Sequence, residues 1–159
     1  MPVRRVEVDG QPAYRWGDRG RAYTFDPERP GSEERAKANA EEQGRVIEQR
    51  IAAAMSRTFK PPAEVRDAAQ AALVLRASLP PSRRAMTAVG LARARDLANG
   101  RSVSMETILR MRDYFRRHAV DKEGEGWGVD SKGWQAWLGW GGDAGQAWVD
   151  KIVAEYLEA

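Results

Sequence analysis

The chain has 159 residues, 42% of them hydrophobic, and carries 26 lysines and arginines against 23 acids for a formal net charge of +3. This allows one domain, or one domain with a small appendage, and enough apolar content for a real core. The absence of cysteine and the single histidine, His118, exclude disulfides, thiol catalysis and cysteine-based zinc sites and leave little for other metal sites or a Ser-His triad, so a non-enzymatic protein with no metal and no cofactor is expected.

Residues 3–25 alternate weakly, and Asp9-Gly10 and Asp18-Arg19-Gly20 supply turn chemistry between three short strands marked by Val3/Val6/Val8, Tyr14/Trp16 and Tyr23/Phe25. A sheet this small is marginal alone, so its apolar face needs the next helix. That helix is expected from about Glu33 to Met55, with Ser32 as N-cap and Glu33 and Glu34 in a first turn whose dipole favours acids. Its apolar stripe runs through Ala36, Ala40, Val46/Ile47, Ile51 and Met55, with Gly44 as the weak point. Thr58 to Pro62 reads as a linker, since Pro61-Pro62 stops one helix and can open another. The predicted organisation is an N-terminal ββ(β)α module over residues 1–58 and a helical domain over 61–159.

In the helical domain, Ala63 to Ser78 carries Val65, Ala69 and Ala72/Leu73 on one side and ends before Pro80-Pro81. Ser82-Arg83-Arg84 forms a basic loop. Thr87 can cap a helix through Leu97 that Asn99-Gly100 terminates in left-handed geometry. Ser102 and Ser104 precede a fourth helix that buries Ile108, Met111 and Phe115 and closes on Arg116 and Arg117, favourably for its dipole. Five of the six tryptophans then fall between Trp127 and Trp148. Each buries about 150–250 Å² when packed, so they read first as core. Trp134, Trp137 and Trp148 lie near whole helical turns, and Trp140 continues the ridge from Trp137. Gly141-Gly142 breaks the helix, and Asp143 can cap a last one facing inward with Trp148, Ile152 and Tyr156. The fold class is mainly α (α+β): a small three-stranded antiparallel sheet with a long helix, then a compact Trp-rich helical bundle.

Charge is unevenly spread. Residues 1–60, 61–120 and 121–159 balance at +2, +6 and −5, and the middle segment contains no lysine. A basic middle before an acidic tail means either a polyanion-binding face beside a shielding segment or two halves that attract each other. Arg83, Arg84, Arg93, Arg95, Arg101, Arg110 and Arg117 could line one side, and arginine suits phosphates, carboxylates and indole faces alike. The third and fourth helices have helix-turn-helix spacing, although Met105, Glu106 and Thr107 bring no positive charge to the start of the second, and Arg110, Arg112, Arg116 and Arg117 sit further along. Asp121, Glu123 and Glu125 before Gly126 resemble the start of a calcium loop, but the twelfth position is Lys132, which excludes an EF-hand. His118, on the face of Met111 and Phe115, reads as a half-buried or helix-terminal residue.

P-V-R-R-V, then Y-R-W-G-D-R-G-R-A-Y, then A-x-x-Q-G-R-V-I resembles a short module of tailed-phage and prophage proteins. A-V-G-L-A-R-A-R-D-L-A-N-G, R-H-A-V-D-K-E-G-E-G-W and A-W-L-G-W-G-G-D-A-G-Q-A-W resemble a helical module from the same setting. The resemblance covers most of the chain and implies origin more than activity, such modules occurring near head-morphogenesis and packaging genes or fused to other phage proteins. In layout the N-terminal meander and helix are also similar to the arm-binding domain of phage integrases, which would make Arg15, Arg19 and Arg21, on the second and third strands, DNA contacts. The expected protein is therefore a phage-type accessory protein that binds DNA through arginines in packaging, virion assembly or host takeover. The alternative is a virion component that binds another phage or host protein through Trp127, Trp134, Trp137, Trp140 and Trp148. No run of about 18 apolar residues occurs, and M-P-V-R-R-V lacks the apolar centre of a signal peptide, so the expected setting is the host cytoplasm or the virion, without a membrane.

Overall fold

A computed structural model describes residues 2–158. The protein is mainly helical, with a small N-terminal antiparallel sheet and a Trp-rich helical C-terminal region. It forms two compact units, Met1–Ala53 and Ala54–Ala159.

In the first unit, strands β1 (Val3–Val8), β2 (Gln11–Trp16) and β3 (Ala22–Thr24) pair antiparallel in sequence order. Val8 faces Gln11, so Asp9 and Gly10 make a two-residue turn, and their φ values of 51° and 78° match the primed turn that suits the twist of a hairpin. Arg19 lies in the turn read from Asp18-Arg19-Gly20, and Arg21, placed on a strand by the integrase-like layout, also lies in the connection between β2 and β3; of the three only Arg15 is on a strand. Phe25 falls just beyond β3, where its N–H donates to the Pro12 carbonyl at 3.0 Å and its ring stacks on Tyr14.

Helix α1 (Ser32–Met55) follows. Ser32 is its first residue and not its cap. The hydroxyl accepts the Asp26 N–H at 3.0 Å, tying down the preceding loop, and the Gly31 carbonyl accepts the Arg35 N–H at the helix start. Tyr14 donates to Glu33 at 2.8 Å, and Trp16 lies flat against Gly44, where an added Cβ would overlap the indole. Gly44, a weak point by propensity, is where the sheet meets the helix. Gly44→Ala in an ordinary helix interior stabilises by about 1 kcal/mol; here the overlap is expected to reverse the sign and destabilise the unit by about 1–3 kcal/mol. Faster amide hydrogen exchange across residues 36–48 of the variant would show it, whereas slower exchange would mean that Trp16 can move aside.

The second unit contains α2 (Ala63–Ser78), α3 (Ala88–Ala98), α4 (Met105–His118), α5 (Lys132–Gly139) and α6 (Gly142–Val153). Tight 3-10 turns occupy Pro81–Arg83 and Ala119–Glu123, and a π-helical turn, Ala154–Glu158, continues α6. The segment expected as a linker begins as strand β4 (Thr58–Phe59), which pairs antiparallel with β5 (Val103–Ser104). The reason lies over forty residues away, in a buried Val103 that a free linker would leave uncovered. Thr87 and Ser104 cap α3 and α4 by accepting the Gly90 and Thr107 N–H groups, each at 3.2 Å, and Gly100 ends α3 with φ 69°.

Helix α2 packs on α3, α5 and α6, and α4 packs on α6. Val65, Ala69, Leu97, Met105, Ile108, Met111, Phe115, Trp137, Val149 and Val153 form the core between them. Gly141 and Gly142 break α5 from α6 with φ 109° and 65°, and a Cβ at Gly141 would come within 2.9 Å of Val65, so conformation and close approach to α2 both require glycine there. Asp143, expected as the cap of α6, is not one: Gly141 holds that position. The Asp143 carboxylate accepts the Trp137 indole N–H at 2.9 Å and the Lys122 ammonium at 3.1 Å, and that ammonium sits 4.5 Å from the centre of the Trp137 ring. Burial of Trp137 is thereby completed by a polar latch on its one polar atom.

Among the described residues of this unit, Gln135 is the buried polar one. Its carbonyl oxygen accepts the Ala85 N–H, and its amide donates to the Arg83 and Asp130 carbonyls, all at 3.0 Å. One amide therefore ties the loop between α2 and α3 to the start of α5. Tyr156 faces inward as expected, edge-on to Phe59 at 5.4 Å with the Arg57 guanidinium over its ring.

Candidate functional site

The arginines singled out from the sequence lie in different surroundings. Arg15 is half-buried with its guanidinium 3.5 Å from the Asp18 carbonyl, Arg19 is exposed in the turn, and Arg21 lies over Tyr23. Arg83 pairs with Asp130, and Arg84 donates to the Leu79 carbonyl at 2.9 Å. Arg93 and Arg101 both face Asp96, at 3.8 and 3.5 Å. Arg112 bridges Glu158 at 2.7 Å and Asp150 at 3.8 Å with its side chain only 17% exposed, a direct contact between the basic middle and the acidic tail. Arg110 keeps Glu106 at 2.7 Å one turn away. Arg95, Arg116 and Arg117 are exposed and, among the described residues, face no carboxylate at ion-pair distance.

Helix α3 packs mainly on α2 and α5 and α4 mainly on α6, and α4 follows directly from the β4–β5 ribbon, so each helix of the helix-turn-helix spacing is held chiefly by other elements.

One concave surface gathers three of these arginines. Helix α4 buries Ile108, Met111, Tyr114 and Phe115, which leaves Arg110, Asp113, Arg116 and Arg117 on its outer side at helical spacing. With Val89 of α3 and Trp140 these four line a groove of about 420 Å³. Val89 is 65% exposed, on the first turn of a helix whose entry is held by Met86 at φ 73°, a left-handed conformation that costs a non-glycine residue about 1–2 kcal/mol.

Trp140 reaches the groove as the last ring of a stacked column. His118 stacks on Tyr114 at 4.5 Å between centroids and Tyr114 on Trp140 at 4.7 Å, the latter pair only 13° from parallel. The column is fixed from outside by an Asp121 carboxylate oxygen 2.9 Å from His118 Nδ1. Burial, with the Asp121 charge adding to it, holds the Tyr114 hydroxyl well above the usual tyrosine range, so this ring is neutral at any physiological pH. Among the described residues no three histidine, aspartate or glutamate side chains are placed to share a metal ion, and no helix is long and apolar enough to cross a membrane. No protein-family model, curated protein or solved structure matches the chain.

The tryptophans are not an open patch. Trp137 is fully buried, and Trp127, Trp134, Trp140 and Trp148 are half-buried against the core. Trp127 stands edge-on to both Trp134 and Trp137, at 5.1 and 5.5 Å, and Phe115 closes the other side of Trp137 at 4.8 Å. Sequence reasoning named Arg110, Arg116, Arg117 and Trp140 but placed the indole in a separate interface, and it passed over Val89 and Asp113. The i, i+3, i+7 spacing of Arg110, Asp113 and Arg117 was a signal for one face; nothing local tied Val89 or Trp140 to it.

Proposed function

We propose that this protein is a non-enzymatic, DNA-binding accessory protein that contacts phosphates through the outer side of α4. The observation that carries the reading is the clustering of Arg110, Arg116 and Arg117 around one groove, two of them with no acidic neighbour at pairing distance among the described residues. Guanidinium groups so placed offer paired donors to phosphate oxygens, and three of them against Asp113 and the Glu106 that pairs Arg110 still leave the groove positive. Contacts of this kind follow the backbone and read little sequence. The resemblance to tailed-phage modules suggests packaging, virion assembly or host takeover as the setting. The internal packing of the tryptophans weighs against an interface built on them.

The test is fluorescence anisotropy with a duplex of about 30 base pairs, titrated between about 50 and 200 mM salt. Affinity is expected to fall log-linearly with salt, and replacing Arg110, Arg116 and Arg117 by Ala is expected to flatten the slope by about 2.7. Asp113→Asn should strengthen binding. Undetectable affinity at the lowest salt, or a slope untouched by the triple replacement, would overturn the proposal.

A further inference from the structure

We infer that the groove takes an unpaired nucleobase against Trp140, making single-stranded nucleic acid the preferred ligand of this surface; the inference rests on the phosphate-binding reading above. Three parallel or near-parallel rings, His118, Tyr114 and Trp140, form a column whose last member lines the groove. Tyr114 is 6% exposed and packed edge-on against Phe115, so Trp140 is backed by the core and cannot retreat when a ligand presses on it. Gly90, on α3, lies beside the indole nitrogen, where an added Cβ would come to 3.6 Å from it. A part-buried indole lining a groove with three arginines is the pairing of stacking platform and phosphate track that single strands need. Base pairs inside a duplex have both faces covered by their neighbours, so a wall of this kind meets only an unpaired base. The remaining wall is apolar Val89, which accepts the edge of any base and points to weak sequence preference. An acidic protein segment would satisfy the arginines but would leave a flat aromatic surface without a matching partner.

The test compares three fluorescent ligands of about 12 nucleotides at equal salt: a mixed-sequence single strand, the same backbone carrying abasic sites throughout, and the matching duplex. The unmodified protein is expected to bind the base-bearing strand more tightly than the duplex, and about 5- to 150-fold more tightly than the abasic strand. Its tryptophan fluorescence should be quenched by the base-bearing strand alone. Trp140→Leu should remove that preference and the quenching, while Trp140→Phe should restore much of the preference; near-ultraviolet circular dichroism checks that both keep the core. Equal affinity for abasic and base-bearing strands, with a normal salt slope, would overturn the inference and leave the phosphate reading standing. Failure of all three ligands to bind at low salt would overturn both readings, and binding of poly-glutamate in their place would do the same in favour of an acidic protein partner.

Discussion

Gln135→Leu is expected to lower the stability of the second unit by about 4 kcal/mol, because three backbone groups lose their partner at about 1–3 kcal/mol each. The replacement keeps the volume of the side chain, so packing changes little and the loss isolates the hydrogen bonds. The Ala85 N–H carries the largest share, since its bond to Gln135 is wholly buried, whereas those to the Arg83 and Asp130 carbonyls are part-buried. Gln135→Glu should be at least as damaging: a carboxylate can still accept from Ala85 but would set its second oxygen against two carbonyls. Urea unfolding would show the effect as a lower midpoint at an unchanged slope. A midpoint within error of the parent would mean that the loop between α2 and α3 is held by other contacts.

Trp137→Ala is expected to cost about 3–5 kcal/mol, the usual penalty for emptying a large aromatic site in a core. Trp137 is completely buried and touched by Tyr114, Phe115 and Trp127, so the vacated space is bounded by rings that cannot easily collapse into it. The replacement also removes the indole donor of Asp143 and the aromatic face under Lys122. Against the 5–15 kcal/mol of an ordinary domain this is a large fraction, and a fall in melting temperature of more than about 12 °C should follow. Trp148→Ala offers the contrast. That indole is half-buried and makes no ring contact with another aromatic residue among those described, so its loss should be well under half as large. Melting curves of the two variants would settle the order, and a Trp148 effect equal to that of Trp137 would show that the core is centred elsewhere.

The two residues differ in how visible they are from the chain alone. Burial of Trp137 could be expected from a dense run of tryptophans at helical spacing, whereas Gln135, two positions earlier, looks like any surface glutamine. Its partners lie 50 and 52 positions away at Ala85 and Arg83, and five away at Asp130. The same distinction separates the arginines. Their excess in residues 61–120 is plain, but which of them is neutralised depends on Asp130, 47 residues from Arg83, and on Glu158, 46 residues from Arg112. Among the described residues, Arg116 and Arg117 stay without such a partner beside Trp140, with Arg110, paired to Glu106 one turn away, completing the groove, and they are defined as much by these removals as by any motif.

The amino-acid sequence by itself determined the features whose partners lie within a turn or two: the Asp9-Gly10 hairpin, the Thr87 cap, the left-handed stop at Gly100, the break at Gly141-Gly142, and the buried stripe of α4, while of the two serines before α4 the structure chose Ser104 as the cap. Backbone dihedral preference and the 3.6-residue period act locally, so residue type and spacing suffice for them. Only the tertiary structure decided that Ser32 holds Asp26 instead of capping α1, that Asp143 latches Trp137 and Lys122 instead of capping α6, that Thr58 and Phe59 pair with Val103 and Ser104, and that Gly44 is a seat for Trp16. In each case a local option lost to a partner outside the expected motif: the buried Trp137 ring and Val103 had a polar atom and a strand edge that no adjacent residue could satisfy, whereas Ser32 took an exposed N–H six residues back.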